Sequence, residues 1–265
     1  MGVFRFELKQ YKTSIIIWAL SLSLAIMFLL PMFSGMLTED KSSVVSSLQD
    51  NPMMEAMGIS AENFFSPLGV YAFLSSFLML AASIHAINLG LSIITKEHMQ
   101  NTADFLMTKP YSRKQIFLSK MAAALCAIFI IAIAYCIGGF VAMLIVTGGG
   151  FDYTIFTLLS LVFPLLQVLF LLIGVLIGVI ISRVGSTLPL ALGVAFGLYV
   201  TGLFSNVVNS DIARRFSPFR YFNSNYIMEN TQYESSYSIL YIVLLVISIA
   251  ASYMIYMKKD IKMVL

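Results

Sequence analysis

Residues 96–120 read KEHMQNTADFLMTKPYSRKQIFLSK. The stretch is a charged interruption between two long apolar blocks. It holds five of the sixteen Lys and Arg residues: Lys96, Lys109, Arg113, Lys114 and Lys120. Thr102–Met107 is predicted to form a short helix in which Phe105, Leu106 and Met107 make an apolar knob. Lys109-Pro110 stops that helix, because the residue before a proline is pushed out of the α region. Ser112 is placed to cap a new helix, with Gln115 three residues on completing a capping box. The new helix runs into the apolar block that starts at Met121. A short helix, a proline break and a return into an apolar block have the form of a docking element.

The composition outside this stretch sets the class. Only 11% of the residues are charged and 59% are hydrophobic, against about 25% charged in soluble domains. The apolar residues come in long blocks, so the chain reads as an all-α, polytopic membrane protein with the lipid bilayer as its solvent. Six transmembrane helices are predicted, over about 13–33, 67–95, 121–147, 153–182, 189–208 and 237–257, and the whole chain, 1–265, reads as one transmembrane domain. Residues 67–95 would be about 43 Å long as a helix, longer than the ~30 Å hydrocarbon core, so this span should tilt or project. The first apolar run is too long for the h-region of a signal peptide. Pro189 suits the first position of the fifth span.

Both ends of the chain and residues 96–120 carry most of the basic charge. Twelve of the sixteen Lys and Arg fall on that face and four on the other. The positive-inside rule therefore puts both termini and the docking stretch in the cytoplasm. Residues 34–66 form a long outer loop with five acidic residues against Lys41. Residues 1–12 alternate apolar and charged side chains, which fits either an interfacial helix or a basic flank.

The sequence excludes several chemistries. It has no GxxxxGK[ST], HExxH, GxSxG or paired-cysteine motif, so no nucleotide loop, catalytic centre, metal site or cofactor is expected. A net charge of +3 gives no reason to expect nucleic acid. Cys126 and Cys136 are about 15 Å apart along one helix, too far to pair. Within the spans, Ser83, His85 and Asn88 are spaced to share roughly one side of the second helix, and with Pro164 and Gln167 they are candidates for a translocation path. The competing reading is a set of polar groups hydrogen-bonded between helices. Pro164 should kink the fourth span, and Gln167 either caps the backbone it frees or lines the path. The two GxxxG patterns, Gly174–Gly178 and Gly193–Gly197, fit close helix approach. Arg214, Arg215 and Arg220 among Phe216, Phe219, Tyr221 and Phe222 read as an interface-seated outer element.

The order of parts resembles the permease subunit of ABC-2-type ABC transporters. The local pattern Glu97…Asn101-Thr102-Ala103-Asp104-Phe105-Leu106…Pro110-Tyr111-Ser112-Arg113…Lys120 is similar to that family's E…GT-x-x-x-L…P-[VY]-S-R…K region, with Asn101 where the family often has Gly. Ser217-Pro218-Phe219-Arg220-Tyr221-Phe222 resembles its P-F-x-Y-F segment before the last span. The resemblance implies a permease that lacks its own ATPase and pairs with a separate ATP-binding cassette subunit. It implies a dimer with a second copy or a related permease. It also implies that Thr102–Met107 is a short amphipathic coupling helix between helices 2 and 3. Glu97, Thr102, Asp104, Phe105, Leu106, Met107, Pro110, Ser112 and Arg113 would then carry the contact with the ATPase. The apolar interior fits export of amphipathic or lipophilic cargo such as a peptide, antibiotic or lipid. The other function class, a non-ABC membrane enzyme or membrane-anchored assembly factor, needs clustered acid, base or metal ligands, and the sequence offers none.

Overall fold

The computed structural model describes residues 2–35, 61–99, 111–181, 185–208 and 210–258. Its elements are α1 (Val3–Gly35), α2 (Ala61–Phe64), α3 (Pro67–Met99), α4 (Arg113–Thr147), α5 (Tyr153–Ile180), α6 (Thr187–Val207), α7 (Asp211–Phe216), a 3-10 turn (Pro218–Arg220), α8 (Ser224–Asn230) and α9 (Ser235–Lys258). Among the described residues, six helices are long and apolar enough to cross a membrane: α1, α3, α4, α5, α6 and α9.

The ends of these helices are set by local chemistry. Ser112 Oγ accepts from the Gln115 amide at 3.2 Å, and Gln115 Oε1 accepts from the Ser112 amide at 3.0 Å. This is the expected capping box, and α4 begins there. Gly148 ends α4 in the left-handed region at φ 61°, where glycine has no Cβ to clash. Asp152 caps α5 through the amides of Thr154 and Ile155. The expectation that Pro189 opens the fifth span is corrected: α6 starts at Thr187, and Pro189 is its third residue. The first four amides of a helix have no intrahelical acceptor, so a proline at the third costs no bond.

Residues 3–12 do not form a separate helix; they are the first turns of α1 and lead without a break into the first span. Their residues include the good helix formers Glu7, Leu8, Lys9 and Gln10, with no proline or glycine before Pro31 to interrupt them.

α3 and α5 are the central pair. The most apolar windows of both are 61% buried, against 22% for α1 and 17% for each of α6 and α9. α1 packs along α4, α3 along α5, α6 against α3, and α9 against α5. The outer helices turn apolar side chains such as Phe28, Ile133, Phe196 and Ile239 outward, as lipid-facing surfaces require. The α3–α5 contact brings backbone to backbone. A Cβ on Gly90 would lie 2.3 Å from the Leu171 carbonyl oxygen, and one on Gly174 2.4 Å from that of Ile87. The Gly174–Gly178 pattern therefore serves packing within the chain. Gly193 and Gly197, by contrast, face open space on α6.

Candidate functional site

α1, α3 and α4 meet at one end of the bundle, the charged end. There Glu7 of α1, Lys96 and Glu97 of α3 and Lys120 of α4 form one ionic network. Lys96 donates to Glu7, and to Gln10 Oε1 at 2.6 Å. Lys120 donates to Glu97, donates to the Ile93 carbonyl at 2.7 Å, and lies 3.1 Å from the second oxygen of Glu7. The Lys96 ammonium also sits 5.2 Å from the centre of the Tyr11 ring, within cation–π range. Glu7 is 2% exposed and Lys120 1%. Two cations and two anions cancel, which is the condition under which charges tolerate burial.

The network stands at the two roots of residues 100–110, since α3 leads into that segment and α4 leads out of it. Thr102, Asp104, Phe105, Leu106, Met107 and Pro110 lie outside the described residues. Of the expected coupling residues, Glu97 joins the network through Lys120, Ser112 caps α4, and Arg113 is its half-buried first residue. The sequence reading missed Glu7, Lys96 and Lys120 as partners. Glu7 carried a signal, being the one carboxylate among the basic residues at 5, 9 and 12. The partner it would find, about ninety positions away, carried none.

The interior candidates have different partners from one another. His85 packs against Trp18 of α1, with ring centroids 4.8 Å apart. Asn88 Oδ1 accepts from Thr187 Oγ1 of α6 at 2.7 Å. Ser83 lies one turn before Ile87, on the α5-facing side of α3. Gln167 lies one turn before Leu171, on the α3-facing side of α5. Ser83 Oγ and both polar atoms of the Gln167 amide are buried with no hydrogen-bond partner among the described residues. Thus Ser83 and Gln167 share the central seam, while His85 faces α1 and Asn88 faces α6.

Pro164 has no amide hydrogen, so the carbonyl of Ser160, four residues earlier, lacks its helical donor. The Cys136 thiol of α4 approaches that oxygen at 3.8 Å. Ser160 Oγ is also bonded to the Tyr71 hydroxyl of α3 at 2.8 Å. Three helices therefore converge on the residue that the proline exposes. Gln167, three residues beyond Pro164, takes no described part in this repair.

At the opposite end, the segment from α7 to α8 folds back against α6 and α9. Arg214 makes a forked ion pair with Glu234 and lies 3.8 Å from the centre of the Tyr237 ring. Arg220 donates to the Asn206 side-chain oxygen, and Ser217 Oγ donates to the Leu198 carbonyl at 2.7 Å. Burial, and secondarily the nearby Arg214 charge, lower the Arg220 pKa to about 10, so it stays protonated at neutral pH. Burial likewise raises the Tyr221 hydroxyl to about 12, and that hydroxyl donates to the Arg215 carbonyl at 2.6 Å. Among the described residues there is no cluster of three or more His, Cys, Asp or Glu able to hold a metal ion.

The geometry is that of a membrane bundle with a braced charged end and a folded cap at the other. A search among curated proteins finds no match. The family model described as ABC-2 family transporter protein matches residues 1–261. That match spans all six membrane helices, so this chain belongs to the ABC-2 family of transporter membrane proteins.

Proposed function

We propose that this chain is the permease subunit of an ATP-driven exporter, working with a separate ATP-binding subunit and with a second permease, identical or related. In this reading the whole chain is one transmembrane domain, both termini are cytoplasmic, and residues 102–107 form the coupling helix. The cargo is amphipathic or lipophilic, with Ser83, His85, Asn88, Pro164 and Gln167 along its route. The observation that carries the reading is the buried network of Glu7, Lys96, Glu97 and Lys120 at the roots of residues 100–110. The sequence has no nucleotide loop, so the work of ATP must enter by contact. A contact transmits motion only where its mounting is stiff. A neutral, buried ionic network that ties three helices together supplies that stiffness.

Phe105 and Leu106 are then the apolar anchors that enter a groove of the ATPase, as interface anchors commonly do. The test is reconstitution of the permease with its ATPase. Phe105→Asp is expected to weaken co-purification of the ATPase and to abolish transport-stimulated ATP hydrolysis. Glu97→Gln is expected to leave assembly intact and to lower transport. Normal coupling in Phe105→Asp would remove this segment from the mechanism.

A further inference from the structure

Arg5, Lys9 and Lys12 of α1 are exposed. Their spacing of four and three residues puts them on one side of the helix, in a stripe about 10 Å long. The next positions at this spacing are Ile16 and Leu20, which are 46% and 57% exposed. On a membrane span such side chains face lipid. The basic stripe therefore runs straight into a lipid-facing stripe on the same side of one unbroken helix. That continuity fixes where the cations point: away from the bundle, at the level of the head groups. The head-group layer is about 5–8 Å deep on each side of the bilayer, and flexible Lys and Arg stems reach across it.

The chain does not answer these charges itself. Among the described residues none of the three makes an ion pair, and the carboxylates described at this end, Glu7 and Glu97, are both held in the buried network. Glu7 is two residues from Arg5 and from Lys9, so it falls on the far side of the helix from them. Helix stability does not ask for the cations either. Arg5 sits in the first turn of α1, where a positive charge opposes the helix dipole. Packing, pairing and helix formation thus leave the stripe unexplained, and an external anion explains it. A bilayer surface rich in anionic phospholipid supplies that anion at the right depth, and each Lys or Arg beside it strengthens association by about fivefold.

We propose that Arg5, Lys9 and Lys12 form a binding surface for anionic phospholipids, whose chains lie along Ile16 and Leu20. The inference goes beyond the transport reading. It requires only that α1 cross the bilayer, and its test needs neither the ATPase nor transport.

The experiment uses the full-length chain in vesicles of equal parts dioleoylphosphatidylcholine and dioleoylphosphatidylglycerol. The chain's single tryptophan, Trp18, is changed by Trp18→Phe, and Leu20→Trp moves the reporter to the lipid-facing end of the stripe. Bromine is placed on the chains of one lipid or the other, and quenching of the tryptophan reads which lipid lies there. Brominated phosphatidylglycerol should associate about fivefold more strongly than brominated phosphatidylcholine. The triple change Arg5→Gln, Lys9→Gln, Lys12→Gln should bring the two lipids to parity. Lys258→Gln should leave the preference unchanged; it removes an exposed cation from the last turn of α9, which lies at the same end because Tyr253 and Tyr256 pack on Phe117 of α4. Raising the salt from about 0.1 M to about 1 M shortens the screening length from about 10 Å to about 3 Å. It should abolish the preference without any substitution, so the idea stays testable if the triple variant fails to insert. Equal quenching by the two lipids with all three cations present would overturn the proposal and leave the stripe to an acidic protein surface. A preference that survives the triple change or high salt would also overturn it. So would an equal loss in Lys258→Gln, which would assign the effect to the general charge of this end. A reporter that neither lipid quenches would remove the lipid-facing stripe and the proposal with it.

Discussion

At the scale of single residues, the chain's most costly commitment is Glu7. Its carboxylate meets both Lys96 and Lys120 while 2% exposed. Glu7→Gln leaves two ammonium groups facing Glu97 alone, and removing one partner of a buried pair typically costs about 3–5 kcal/mol. We therefore expect the variant to unfold at a clearly lower temperature in detergent. The double variant Glu7→Gln, Lys96→Met should recover much of the loss, because charge balance returns. Equal melting of wild type and Glu7→Gln would show that the network carries no stability. Little of this was legible in the sequence. A lone acid in a basic flank is visible, but its partners lie on helices brought together only by packing. Ser112 and Gln115 were readable because a capping box is local: both partners lie within one turn. The same contrast holds for Gln167, whose nearness to Pro164 suggested a backbone repair that Cys136 of another helix supplies instead.

At the scale of elements, the α3–α5 seam decides how the bundle closes. Gly174–Gly178 was readable as a pattern, but the pattern alone did not separate contact within the chain from contact between chains. Gly90, which makes the closest approach of the three at 2.3 Å, belongs to no such motif. Its role depends on the register between two helices, which the sequence does not encode locally. Gly90→Ala and Gly174→Ala should each push α3 and α5 apart, because the obstructing atoms are backbone and cannot rotate away. Overpacking of this kind costs about 1–3 kcal/mol, so both variants should melt early. Gly197→Ala meets nothing within 4 Å and should leave the melting of the isolated chain within about 0.5 kcal/mol of wild type. Destabilisation of the isolated chain by Gly197→Ala as large as that by Gly90→Ala would contradict this assignment of the two faces.

At the scale of the whole molecule, the six spans were legible because length and apolarity are properties of contiguous sequence. The direction in which they cross is an argument from charge alone. Twelve basic residues on one face against four on the other would make reversed insertion unfavourable. The folded chain places ion pairs at both ends of the bundle. At the charged end Lys96 and Lys120 are already neutralised by Glu7 and Glu97. At the opposite end Arg214 is paired with Glu234. The rule counts Lys and Arg rather than net charge, so these pairs leave the bias intact. Tyr111 is exposed just before α4, and Gln232 is exposed between α8 and α9, at the two ends of the bundle. With Cys126 and Cys136 replaced by Ala, a cysteine at position 232 should react with a membrane-impermeant maleimide in intact cells. One at position 111 should react only after the membrane is opened. The reverse pattern would place residues 100–110 outside the cell, where no ATPase could reach them, and the proposed coupling would fail with the orientation.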